Sequence, residues 1–154
     1  MTGRPWKFPP ASASRAATPA VEPSVDAAAP CPCGSGRAYG ACCRPFHLGA
    51  ARPGTAEALM RARYSAFAAG QADFLWRTWH PRTRPELVVL EPDVEWRGLE
   101  ILDVVDGGPA DRDGVVEFRA RYHDAEGGGV LHERSRFTLR ARRWMYVDGA
   151  HFGD

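Results

Sequence analysis

Between Thr55 and Gly70 apolar side chains recur at helical spacing, with Met60, Tyr64 and Phe67 on one face. Thr55 is placed to cap that helix, Glu57 sits in its first turn, and Gly70 supplies the stop. A second short helix is predicted over "ADFLWRTW", with Asp73 early and the end near Trp79, before Pro81. His80, beside Trp79, suits a cationic cap on the last carbonyls better than a catalytic base. "RPELVVL" reads as a third short helix with Pro85 at its first position, an opening strand being the other option.

From Val94 the period changes to two. "VEWRGLEILDVVD" predicts a long strand with a bulge or bend at Gly98. "VVEFRARYHD" alternates Val116, Phe118, Ala120 and Tyr122 against Glu117, Arg119, Arg121 and His123. "VLHERSRFTLRA" alternates again after the turn "AEGGG", and "RWMYVDG" closes the series after a tight turn near Arg142. Helices followed by an antiparallel meander specify an α+β fold, with the helices on one sheet face.

Residues 1–30 are rich in Pro, Ala and Ser without a helical or strand period, and are expected to form a disordered tail. The chain has 154 residues and 44% hydrophobic content, enough for one domain with a real core plus a small appendage. Its 20 basic and 19 acidic residues give a net charge of +1, which argues against a general electrostatic grip on nucleic acid. No run of apolar residues is long enough to span a membrane, and the N-terminal stretch makes a poor signal peptide. The expected compartment is therefore the reducing cytoplasm, where disulfides do not persist.

That expectation matters because all four cysteines fall within "CPCGSGRAYGACC". Cys31 and Cys33 are one residue apart and Cys42 and Cys43 are adjacent, so neither close pair suits a disulfide. Four thiolates are the ligand set of a closed structural zinc site, here one Zn²⁺. Reactive thiols or an iron–sulfur cluster are the alternatives. Glycine and Ser35 amides between the ligands are expected to donate to the sulfurs, and Arg37 and Arg44 to offset the negative charge.

The run Cys-x-Cys-Gly-Ser-Gly, Tyr39 and Cys-Cys resembles the SEC-C motif, a zinc knuckle also found in the bacterial preprotein translocase motor protein. The resemblance implies Cys31, Cys33, Cys42 and Cys43 as ligands within a knuckle over 31–45, with Tyr39 exposed or half-packed. In the motor protein the knuckle contacts other proteins, which implies an interaction element and a protein partner. Where the motif often carries lysines this chain has Ala38, Gly40 and Ala41, which weakens a basic-surface argument for the knuckle.

"LMRARYSAFAAGQADFLWRTWHP", "EWRGLEIL", "ERSRF" and "WMYVDG" resemble, in the same order, the YchJ-like family of bacterial proteins. The resemblance implies a domain over 53–152 similar to nuclear transport factor 2, a cone of helices on a curved antiparallel sheet of about four strands. Longer relatives carry a second knuckle, so any bivalent use of this one is expected to need a homodimer.

Cones of this type often hold a pocket, for which Trp79, Trp96, Glu133, Arg136 and Asp148 are the candidates. Glu133 and Ser135 share a strand face with Leu131, Phe137 and Leu139, and a carboxylate there is costly to bury unless paired. The expected partner is Arg134, Arg136 or Arg63; the other use is a general acid or base with a raised pKa. Trp79, Trp96, Trp144 and Tyr146 suit a core at least as well as a ligand. Arg119, Arg121, Arg134, Arg136 and Arg140 lie on outward parities, interrupted by acids such as Glu117, and read as a solvated face. No Ser-His-Asp order, phosphate loop or metal-hydrolase motif occurs, so the balance leans away from an enzyme. The reading that results is a zinc-binding adaptor, with a small-molecule binder or enzyme using the cone pocket as the alternative.

Overall fold

A computed structural model describes residues 21–152. The tail expected over 1–30 therefore lies outside the described residues up to position 20. Residues 21–30 are not loose: the Ser24 amide donates to Ala69 O, while Ala29 O and Ala27 O accept from the Tyr39 and Gly40 amides.

After the cysteine segment comes a single helical turn, α1 (Arg44–His47), then α2 (Ala56–Ala68) and α3 (Ala72–Arg77). Thr55 caps α2 as expected, its hydroxyl accepting from the Ala58 amide, and Gly70 takes a positive φ of 73°. The second helix stops two residues early because the chain switches partners. Tyr146 donates its amide to Thr78 O and accepts the His80 amide, so Trp79 pairs with the sheet. His80 consequently caps no helix; its Nδ1 accepts from the Arg82 amide in a turn. The third helix expected at "RPELVVL" is absent. That stretch is an irregular connector, with Val88 buried and the Pro85 carbonyl accepting from Trp76 Nε1.

Four strands follow: β1 (Glu95–Asp106), β2 (Asp113–Asp124), β3 (Gly127–Arg140) and β4 (Arg143–Phe152). They pair antiparallel in sequence order. The expected irregularity in β1 falls between Trp96 and Gly98, and a second lies between Ile101 and Asp103; such bulges increase local twist. Ala141 and Arg142, both at positive φ, make the two-residue turn between β3 and β4.

Alternation sends Val116, Phe118 and Ala120 of β2 and Leu131, Glu133, Ser135 and Phe137 of β3 inward. Leu59, Ala62 and Ala66 of α2 and Phe74 and Leu75 of α3 complete one apolar cluster, and the four cysteines and Tyr39 belong to it too. Knuckle and cone thus share a core. No helix among the described residues is long and apolar enough to cross a membrane.

Candidate metal centre and interior cavity

All four cysteines are buried, and their sulfurs lie within 4.8 Å of one another. Cys33 Sγ is 3.6 Å from Cys42 Sγ, and Cys42 Sγ is 3.9 Å from Cys43 Sγ. A disulfide needs sulfurs about 2.0 Å apart. Four thiolates about 2.3 Å from one ion form a tetrahedron with edges of about 3.8 Å. The spacing fits a single tetrahedral ion, and all four ligand positions are filled by protein.

The local chain explains the convergence. Gly34 and Gly36, at φ of 80° and 87°, fold the strap between the two cysteine pairs, closed by the Cys31 amide on Arg37 O. Side-chain donors reach the sulfurs from Ser35 Oγ at 3.2 Å and Arg37 Nη2 at 3.6 Å on Cys42, and from Ser65 Oγ at 3.5 Å on Cys31, which the Cys33 backbone also supports. The Gly34 and Gly40 amides, expected in this role, bond to the Cys31 and Ala27 carbonyls instead. Arg44 turns to Glu22 at 3.7 Å, leaving Arg37 as the cation in contact with a sulfur. Hydrogen bonds with Cys33 and Cys43 favour the thiolate at Cys31, while the same sharing pushes the Cys43 thiol up.

Tyr39, expected exposed or half-packed, is fully buried. Its hydroxyl lies 2.6 Å from His47 Nδ1, and His47 Nε2 lies 2.8 Å from Ala62 O on α2. With Nε2 donating to that carbonyl, Nδ1 accepts from the tyrosine, so the neutral ring latches knuckle to helix. Burial accordingly depresses the His47 pKa to about 4. Arg61 Nη1 adds a bond to Cys33 O, and Arg77 Nη2 bonds the Phe46 and His47 carbonyls. Neither Tyr39, His47 nor Ser65 has a sequence signal for these roles beyond a polar residue at a helical position.

The second candidate site lies between α2 and the sheet, where Arg63, Trp79, Glu133, Ser135 and Tyr146 line a cavity of ≈ 30 Å³. That is room for one or two waters. Glu133, 1% exposed, accepts from Ser135 Oγ at 2.7 Å and Tyr146 Oη at 2.9 Å, with His151 Nε2 at 2.7 Å from its other oxygen. Of the three arginines expected as its partner, Arg63 is the one that shares the cavity, where its charge and that of Glu133 attract. Arg134 bonds Asp103 and Glu117, and Arg136 pairs with Asp148 at 2.7 and 2.6 Å, all on the outer sheet face. Arg63 does enter the cavity, where it donates to Leu75 O and Thr78 Oγ1 and stacks over Trp79 and Tyr146. Desolvation brings its pKa down to about 10.

Of the five pocket candidates, then, Trp79 and Glu133 meet in the cavity, while Arg136 and Asp148 face solvent. Trp96 does not line the cavity but packs behind Tyr64 and Phe67, which do, and against Tyr122. Alternation alone separates Arg136 from Glu133, since three positions along a strand reverse the face.

Two family models match the chain: the SEC-C motif over residues 29–45, and the YchJ middle NTF2-like domain over residues 55–149. UPF0225 protein SCO1677 of Streptomyces coelicolor is 54% identical over 120 residues, covering 78% of this chain and 94% of that protein. UPF0225 protein CE1570 of Corynebacterium efficiens is 47% identical, covering 77% and 91%. Among solved structures, RPA3114 of Rhodopseudomonas palustris, a SEC-C motif containing protein, aligns with a TM-score of 0.68 at 30% identity, covering 80% of this chain and 98% of that one. A SEC-C motif containing protein from Psychrobacter arcticus aligns at 0.63 and 25% identity, covering 85% of each. Cysteine cluster, helix-on-meander architecture and both matched segments agree: the chain belongs to the YchJ-like family, whose relatives here carry the name UPF0225.

Proposed function

We propose that the protein is a cytoplasmic zinc-holding interaction protein. One Zn²⁺ on Cys31, Cys33, Cys42 and Cys43 serves as a structural cross-link, and the strap above it serves as a recognition element for a protein partner. The observation that carries this is the closed set of four buried thiols at single-ion spacing beneath an exposed strap, residues 34–38. A site with no open position stabilises structure; it does not activate water. Unpaired thiols spaced for a metal also suit a reducing compartment.

The test is metal content together with capture. Purified protein is expected to carry one zinc per chain, and Cys42→Ser/Cys43→Ser to carry none. Immobilised wild type is expected to retain a host protein that the double variant and a strap variant, Arg37→Glu, both lose. Absence of zinc from the wild type, or equal capture by all three, refutes the reading.

One observation favours a second reading, a small ligand in the cone: a carboxylate and a guanidinium are buried around the same cavity. The volume counts against it, being about a tenth of a typical ligand pocket. A metabolite panel that raises the wild-type melting temperature, but not that of Glu133→Gln, would restore it.

A further inference from the structure

The near-zero net charge conceals a basic end. Between knuckle and cone runs an open groove of ≈ 400 Å³, walled on one side by α1 and residues 49–53 and on the other by α3 and the start of β4. Its side chains include Arg52, Arg77 and Arg143, and none of its lining residues is acidic. Arg77 is held by Asp73 at 3.1 Å and by the Phe46 and His47 carbonyls of α1, so it is a fixed and partly neutralised base. Arg52 and Arg143 are exposed and form no ion pair among the described residues. Phe46 lies half-buried along the groove, over the buried Phe74, Trp144 and Met145.

We infer that this groove binds an acidic, extended peptide segment of a protein partner. The inference rests on the interaction reading above and gives the partner's chemistry. Guanidinium groups take carboxylates bidentately, and two of the three here have no internal partner to surrender. Cations spaced along an open groove suit an extended chain that carries several carboxylates. A nucleic acid fits less well, because the outer sheet face carries Glu100, Asp103 and Glu117. The chain's own first 20 residues fit less well still, since they contain Arg4, Lys7 and Arg15 and no acid. The basic surface therefore comes from the cone and its junction, not from the knuckle positions where Ala38, Gly40 and Ala41 stand.

The test is fluorescence anisotropy of the zinc-loaded full chain with a fluorescein-labelled peptide of alternating Glu and Asp around a central Phe. The same peptide with Gln and Asn, and a single-stranded oligonucleotide, serve as competing probes. The acidic peptide is expected to bind, and to weaken about tenfold when salt rises from about 50 to about 500 mM. Arg52→Glu/Arg143→Glu is expected to weaken it at least about tenfold, and Arg97→Glu, at a distant exposed site, to leave it unchanged. Arg52→Glu alone, an exposed position, gives the answer if the double variant fails to fold. No binding by the acidic peptide, equal binding of the neutral one, tighter binding of the oligonucleotide, or equal weakening by Arg97→Glu overturns the inference. Failure here with zinc-dependent capture intact would place the partner on the strap and leave the interaction reading standing. Self-association in the absence of peptide, lost in Arg52→Glu, would make the occupant a second copy and overturn the inference too.

Discussion

His47→Ala tests whether the knuckle is an independent unit. A small metal-folded loop appended to a domain would lose its own order and leave the cone's melting unchanged. The structure argues otherwise, because His47 is 4% exposed and joins the two parts through Tyr39 Oη and Ala62 O. Truncation strands the tyrosine hydroxyl in a site with no solvent, at a cost of about 1–3 kcal/mol. It also deletes a ring packed edge-on against Phe74 at 4.9 Å, which adds about 1–2 kcal/mol of lost contact and residual cavity. The sum, about 3 kcal/mol, lowers the melting temperature of a domain this size by about 10 °C. Differential scanning calorimetry of the zinc-loaded protein, with near-ultraviolet circular dichroism and chromogenic metal release, follows cone and knuckle separately. One transition is expected, displaced equally in all probes, while Leu48→Ala, 50% exposed, moves it by less than about 0.5 kcal/mol. Early metal release with an unmoved cone transition would refute the shared core.

The same histidine predicts a pH dependence. Its imidazole titrates near 6.5 when unfolded and near 4 when folded, so the unfolded chain takes up the proton first as pH falls. Its contribution is complete above pH 6.5 and lost towards pH 4, at most about 3 kcal/mol, and the difference in denaturation midpoint between wild type and His47→Gln should shrink over that window. At Gly149 an added methyl would overlap the Glu133 carboxylate, so Gly149→Ala is expected to destabilise by about 2–4 kcal/mol in urea unfolding. Asp148→Asn breaks a bidentate ion pair whose side chains are 64% and 48% exposed, and the same assay should register no more than about 1 kcal/mol.

Local signals made much of the fold legible. Thr55 and Gly70 bound a helix through capping and left-handed backbone, and both act within a few residues of the chain they control. The alternation in β2 and β3 named the inward residues correctly, Glu133 and Ser135 included, because a strand's side-chain period is a covalent fact. Where the chain chose a distant partner, local reading failed. The helix end at Arg77 depends on Tyr146 reaching Thr78 and His80, and the connector after Pro85 depends on Val88 being drawn into the core.

The candidate sites divide along the same line. Cysteine spacing by itself determined that four thiols could meet on one ion, since thirteen residues leave them little distance to cover. It carried no information on what stands behind them. Tertiary packing decided that Tyr39 is buried, that His47 fastens the knuckle to α2, and that Ser65 reaches Cys31. It also decided that Arg136 satisfies Asp148 in water while Tyr146 and His151 attend Glu133. A groove lined by Arg52, Arg77 and Arg143 exists only once residues 25 and 66 positions apart are folded together. Spacing sets what neighbours can share, and only the close-packed core sets which distant surfaces become neighbours.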